Sequence, residues 1–447
     1  MVARRRERQG RIRLVDVHFN KRVMEQDMAD PPELTYREVA GRCPMSFMAQ
    51  CRRESPVLKI TSPVAAQNGY LVTRAADIAE VSRDTSKFSS IGNPQSDRWG
   101  DYNDDVARIF RSEGWPLSRV LVWIDPPEHG YFRKLVDKIF LPSRVTAREE
   151  HIRLCIEILL GRLPQGGRID GVSDFAASLP AMVMTREFNA PESDFQLLID
   201  TTNAIGHSID FTRDDPADAD RLVAEAARAI CRFQRYMMPR VEAVRTRPTN
   251  TMLSELVNAT DADGRPALTV EQLHSILGIF LIAATHSTTA GLAWAFCALA
   301  EHQDVQARLR RERHKIGDFV EEVLRHHGIV QTSYRTATAD TKVGEVDVPA
   351  GSKLFLRWDS SNFDENKWAD PLRFDIDRKG IRNHVTFGSG AHFCVGNTLA
   401  RKEMVMSVEA LLNRYSKIEL ASEPERLESF GIHALIGLPL NVSTEPQ

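Results

Sequence analysis

A mainly helical α+β fold, with small β-sheets set to one side, is what these 447 residues predict. Helical periodicity dominates 146–325, with helices over 146–163, 173–189, 194–207, 217–246 and 269–300. Short apolar runs near 341–348, 353–356 and 435–442 read as strands that follow the helices rather than alternate with them. Neither a Pro/Gly/Ser linker nor a tandem period interrupts the chain, so 16–447 reads as one domain behind a basic, disordered tail at 1–15.

Taken in order, the elements begin with a strand at 69–73, a helix at 75–83 and a loop through Phe88 and Ser89. The stretch from Ser90 to Ser118 is rich in Gly, Asn and Asp, and an insertion of that length in a compact domain is usually functional or disordered. Asp125-Pro126-Pro127 then reads as a helix start, Asp as the cap and Pro in the first turn. His129 and Arg133, four apart, share one side of that helix. A polar turn at 211–216 separates the third and fourth long helices. Within the helix at 269–300, Phe280, Ala284, Thr288 and Gly291 recur on one face, small at its centre, which leaves room beside it. Glu322 and Arg325 form an i,i+3 pair of the kind any amphipathic helix can offer.

Composition excludes several classes of function. With 58 basic and 61 acidic residues the net charge is −3, which leaves no electrostatic footprint for nucleic acid. No apolar h-region follows the basic tail and no apolar stretch approaches the length of a spanning helix, so neither secretion nor a membrane anchor is expected. Six cysteines without a Cys-x-x-Cys pair suggest neither a disulfide framework nor structural zinc, which fits a reducing cytoplasm. Cys155, Cys231 and Cys297 sit in apolar helical patterns and read as core.

Cys394 is different. It lies in Phe387-Gly388-Ser389-Gly390-Ala391-His392-Phe393-Cys394-Val395-Gly396, a Gly-punctuated loop running into Asn397-Thr398-Leu399-Ala400-Arg401. A cysteine just before a helix meets unpaired N–H groups and the positive end of the helix dipole, which stabilise a thiolate. Taken alone, it could equally be an inert core thiol. The whole segment resembles the cysteine loop of the cytochrome P450 family, Phe-x-x-Gly-x-x-x-Cys-x-Gly followed by Leu-Ala-Arg, with Phe387, Gly390, Cys394 and Gly396 on those positions. The likeness extends from about Pro44 to Val442.

That resemblance implies the family's fold, a long central helix over a haem, and haem b with an axial thiolate from Cys394 on its iron. Thiolate ligation pushes electron density onto iron and favours O–O cleavage. Phe387 and Gly388 would pack at the macrocycle, with Gly390 and Gly396 allowing close approach. Asp-Pro-Pro-x-His-x-x-x-Arg implies that His129 and Arg133 hold a propionate, and Arg335 and His392 fall on further propionate positions. Glu322-Val323-Leu324-Arg325 matches the Glu-x-x-Arg helix, and Arg373 falls where the family has the second Arg of its charged triad. The family places a pocket loop over 90–118 and a lid at the 211–216 turn; Gln331, Thr332, Ser333 and the stretch 433–436 match pocket-lining segments.

On the oxygen side the chain departs from pattern. Against Ala-Gly-x-Asp/Glu-Thr-Thr, Ala284, Thr288 and Thr289 match, but Thr285 replaces Gly and Ser287 replaces the acid. A hydroxyl supplies no titrating proton near neutral pH. Thr288 with Ser287 is therefore the expected but altered proton pair, and His286, water or the substrate could compensate. The expected protein is a cytoplasmic haem-thiolate monooxygenase hydroxylating an apolar small molecule, with electrons from a ferredoxin and ferredoxin reductase docking near Lys134, Lys138, Arg401 and Lys402. Peroxide-driven oxidation, oxidative aromatic coupling, and non-catalytic haem-based ligand binding stay open as alternatives.

Overall fold

The computed structural model describes residues 34–35, 39, 44–61, 69–92, 104–208 and 216–444. Thr269 starts the 32-residue helix Val270–Glu301 with a capping box: its Oγ1 accepts the Gln272 N–H at 3.2 Å, and Gln272 Oε1 accepts the Thr269 N–H at 2.9 Å. From Ala290 to Ala300 every residue is buried, because this half is apolar on all sides. By length and composition the helix could cross a membrane, contrary to the expectation that no stretch came close. Its most apolar window is 56% buried within the protein, as befits a core helix.

Helices Ser178–Glu187, Phe195–Ser208, Ile316–His327 and Asn397–Arg414 pack on this central helix, and Glu149–Arg162 bridges the first and last of them. The predicted helices stand, with two refinements. The segment 146–163 is split into Pro142–Thr146 and Glu149–Arg162, and 173–189 opens with a π turn at Val172–Ala176. A helix also forms inside the stretch read as loop. In Asp104–Glu113 the apolar residues Val106, Ile109 and Phe110, spaced three and four apart, are buried against Pro216–Thr246 while charges cover the rest. The tail 1–15, Cys43, residues 93–103 and the turn at 211–215 lie outside the described residues.

A mixed six-stranded sheet lies to one side, in the order Leu34–Thr35, Val57–Thr61, Gly69–Val72, Lys353–Arg357, Thr332–Ala337, Phe88–Ser89. Val57–Thr61 and Gly69–Val72 pair antiparallel, whereas Gly69–Val72 and Lys353–Arg357 pair parallel. Thr332–Ala337 reads Thr-Ser-Tyr-Arg-Thr-Ala, too polar to announce a strand, yet it pairs with Lys353–Arg357 and delivers Arg335 to the interior. Lys417–Leu420, Pro439–Ser443 and Gly167–Asp170 form a three-stranded antiparallel sheet. Cys155, Cys231 and Cys297 are buried, as expected of core cysteines, and Cys51 is buried as well.

One buried carboxyl carries a measurable consequence. Glu403, on Asn397–Arg414, is 3% exposed; its Oε2 has no hydrogen-bond partner among the described residues, and burial pushes the carboxyl up to about 8. The folded chain thus keeps a proton that the unfolded chain releases above about 4.5, so Glu403 makes stability fall as pH rises between those values. Glu403→Gln should leave stability unchanged at low pH and raise it at alkaline pH by up to about 5 kcal/mol. Urea unfolding at about pH 5 and about pH 9 checks this, and equal gains at both would refute it.

Candidate functional site

Cys394 sits at the end of a loop closed on itself, where the Cys394 N–H donates to Phe387 O at 3.0 Å. Gly388 and Gly390 both take positive φ, +72° and +73°, and a Cβ on Gly390 would stand 2.4 Å from Ser82 O. The close approach at Gly390 is thus to the neighbouring helix Ala75–Arg83. Gly396, at φ −81°, is the ordinary N-cap of Asn397–Arg414. Gly396 and Asn397, whose N–H groups open the helix Asn397–Arg414, follow Cys394 closely in the chain. Burial pushes the thiol up, and those two N–H groups with the Arg133 and Arg401 guanidiniums oppose it.

Four predicted donors gather beside the loop. The rings of His129 and His392 lie 4.4 Å apart, and His392 Nε2 is 3.0 Å from Ser90 Oγ. Burial first, then the Arg335, His129 and Arg133 charges, hold His392 down at about 3; burial and Arg133 likewise lower His129. Both imidazoles are therefore neutral at physiological pH. Arg335 is 5% exposed, its Nη1 donates to Tyr334 O at 2.6 Å, and its Nε has no hydrogen-bond partner among the described residues. Burial lowers its guanidinium to about 10, with Asp125 opposing. Arg133 is already in use, by Asp137 Oδ1 at 2.7 Å and Phe393 O at 2.7 Å, the latter tying its helix to the cysteine loop. Asp125 does not cap that helix, which starts at Glu128; its carboxylate instead accepts the Ser90 N–H at 2.8 Å and the Ser89 hydroxyl.

A buried guanidinium with an idle donor, beside two histidines kept neutral by positive neighbours, is a pocket short of negative charge. Carboxylates such as those of a haem fit that deficit, and the thiol loop beside it fits the iron.

On the central helix the altered residues separate. Thr285 turns away from this site and meets Thr202 of Phe195–Ser208, Oγ1 to Oγ1 2.9 Å, while also donating to Leu281 O at 2.6 Å. Ser287 Oγ donates to Ala283 O at 2.7 Å, so its proton is committed within its own helix. Thr288 is 6% exposed, and its hydroxyl makes no hydrogen bond among the described residues. His286 lies against Gly206 of Phe195–Ser208, and burial lowers it. Ala283 is exposed in the middle of this helix, between the buried Leu281 and Thr285.

Glu322 and Arg325 form a fully buried pair, with Nε to Oε2 2.8 Å and Nη2 to Oε1 2.9 Å. The second guanidinium on Glu322 belongs to Arg378, Nε at 3.3 Å, and not to Arg373. Arg373 offers its backbone carbonyl to Arg325 at 3.3 Å instead. Sequence reasoning missed Ser90, Glu321, His384 and Asn397, which support the loop and the histidines. Glu321 was hidden beside the motif Glu322, while His384 and Asn397 stand three before Phe387 and three after Cys394.

The family model described as Cytochrome P450 matches residues 212–436. The chain is 31% identical over 361 residues to cyclomarin C epoxidase CymV of Salinispora arenicola, covering 79% of this chain and 85% of that one. It is 28% identical to linalool 8-monooxygenase of Pseudomonas putida, over 93% of this chain and 98% of that one. Among solved structures, cytochrome P450 CYP109Q5 from Chondromyces apiculatus superposes with a TM-score of 0.77 at 28% identity, over 93% of this chain and 99% of that one.

Proposed function

The chain belongs to the cytochrome P450 family, a haem-thiolate monooxygenase by that membership, and from this premise we propose which of its atoms do the work. Cys394 would hold the haem iron through its sulfur, and His129, Arg133, Arg335 and His392 would hold the propionates. The observation that carries this reading is the idle, buried Nε of Arg335 beside the two neutral histidines, a site built for carboxylates that the protein itself does not supply. Arg335→Ala should therefore act with opposite signs in two forms. Haem-free protein should melt no lower, since a buried unpaired charge is gone; the holoprotein should lose haem to an acceptor protein about 10–100-fold faster, as charge-assisted bonds worth about 1.5–3 kcal/mol disappear.

Bound haem supplies activation of dioxygen for oxygen insertion, and the protein supplies binding, orientation and protons. The Gly396 and Asn397 N–H groups steady the sulfur's charge. On the central helix Thr288 Oγ1 could hold a proton for the reacting oxygen, while Ser287, its own proton given to Ala283 O, could only accept one. The substrate we expect is an apolar small molecule, hydroxylated. Ile91 and Ile436, 40% and 51% exposed, lie in the stretches that the family resemblance implies line the pocket, and relatives are named for linalool and for a steroid.

Electrons come from a ferredoxin and its reductase in the cytoplasm, docking on the thiolate side. Of the four cations expected there, Arg401 is bound to Glu321 and Lys402 to Glu149 at 2.6 Å, which leaves the exposed Lys134 and Lys138.

The commitment of Ser287 also favours a second reading, in which hydrogen peroxide or the substrate brings the proton. Product formed per reductant consumed separates the two. Proton delivery through this helix predicts that Ser287→Asp speeds turnover severalfold with the redox partners, and that Thr288→Ala diverts reductant into free hydrogen peroxide. Unchanged coupling in both variants, with efficient turnover on added hydrogen peroxide, would establish the second reading instead.

A further inference from the structure

The cysteine loop is held from behind by a chain of side chains drawn from three separate segments. His384 Nδ1 accepts the Thr386 N–H at 3.3 Å, and its Nε2 lies 2.8 Å from Glu321 Oε2. The first bond fixes the tautomer: Nδ1 keeps its lone pair, so Nε2 carries the proton and donates it to the carboxylate. Glu321 also receives Arg401 in a fork, Nε to Oε1 at 2.8 Å and Nη2 to Oε2 at 3.1 Å. The third corner of that guanidinium, Nη1, donates to Asn397 Oδ1 at 2.8 Å. With its oxygen so engaged, Asn397 turns its amide nitrogen the other way, and Nδ2 donates to Cys394 O at 2.8 Å. The guanidinium also lies over the Phe387 ring, 4.3 Å from its centroid, and Phe387 O is the group that closes the loop on Cys394.

Each link determines the next. Glu321 is 2% exposed and His384 7%, so water does not compete for these bonds. Burial would push the Glu321 carboxyl up, but the bonds from His384 and Arg401 outweigh it and hold the group at about 2. The carboxylate is therefore charged at every working pH. A planar fork is what lets one residue grip Glu321 and Asn397 together; a lysine ammonium in its place would lack that geometry.

We propose that Glu321, Arg401 and Asn397 are positioning residues for the sulfur: the carboxylate sets the guanidinium, the guanidinium sets the amide, and the amide sets the backbone of Cys394. The inference rests on Cys394 being the haem ligand. Asn397→Leu and Arg401→Lys, compared with the unaltered holoprotein at one neutral pH, test it through the ferrous carbonyl complex. In both variants the band of the thiolate-ligated complex should give way to that of the thiolate-free complex roughly tenfold faster than in the parent, the loss of about one hydrogen bond to the loop. Haem-free Asn397→Leu should melt as the parent does.

Parental conversion rates in both variants would overturn the proposal. A fall in the melting temperature of haem-free Asn397→Leu matching the spectral loss would also overturn it, since that is a merely structural effect. Should Arg401→Lys fail to fold, Asn397→Leu decides alone, because it leaves the buried Glu321–Arg401 pair intact. Failure of the premise looks different: the unaltered protein would then lack the thiolate band, or Cys394→Ser would keep it.

Discussion

Cys394→Ser should abolish turnover and remove the red-shifted band of the thiolate-ligated carbonyl complex, the largest effect expected of any single substitution in this chain. A serine hydroxyl preserves the size of the side chain and the loop closure through the backbone at Phe387 O, so the fold has no reason to change. What is lost is the anionic, polarisable sulfur. A neutral hydroxyl is a poor ligand for ferrous iron and donates little electron density. The four buried core cysteines, Cys51, Cys155, Cys231 and Cys297, changed singly to Ala, should leave the band in place. Recording the carbonyl difference spectrum of all five variants checks both halves, and a surviving band in Cys394→Ser would remove this residue from the assignment.

Glu322→Ala should yield little or no haem-loaded protein, for a reason of a different kind. Glu322 is wholly buried and answers two guanidiniums, Arg325 and Arg378, while its Oε1 also accepts the Asp375 N–H at 2.8 Å. Arg325 in turn donates to the carbonyls of Asn362 and Pro371, both at 2.9 Å. Removing the carboxylate leaves two cations facing each other, one of them without any solvent contact. Breaking a buried pair in this way costs about 3–5 kcal/mol, a large part of the usual stability of a domain. Arg325→Ala should do the same, whereas Arg373→Ala should be mild because only the Arg373 backbone takes part. Soluble yield and the ratio of haem to protein absorbance measure these outcomes. Full haem loading in Glu322→Ala, or a collapse in Arg373→Ala, would show that the ion-pair assignment is wrong.

The contrast between Arg373 and Arg378 shows where reading the sequence stopped. Spacing could locate an arginine in the segment after Pro371, but two arginines five apart in an irregular stretch offer no periodicity to choose between them. The long helices were legible because apolar stripes and caps repeat, as at Thr269 and Gln272. The helix Asp104–Glu113 was not, since three apolar residues among six polar or charged ones and one alanine give too short a stripe. At the site, Cys394, His129, Arg133, Arg335 and His392 could be named because each stands in a recognisable string. Ser90, Glu321 and His384 could not: their partners are 302, 80 and 63 residues away, and pairings set by tertiary contact leave little trace in local order; Asn397 is local to Cys394, but its orientation is set by Arg401. Ser287 was seen to be anomalous, but only the structure gives its bond to Ala283 O.

The hydroxyl pair between Thr202 and Thr285 has a kinetic side. Any motion that lifts the helix Phe195–Ser208 off the central helix separates the two oxygens and strips the Thr202 hydroxyl of its partner. An unmade hydrogen bond in a buried place costs about 1–3 kcal/mol, which is a factor of roughly 5–150 in population at room temperature. Conformers with that helix raised are correspondingly rare, so any guest that enters or leaves by this route waits on infrequent openings. Residence time is then governed partly by two threonines that need not touch the guest.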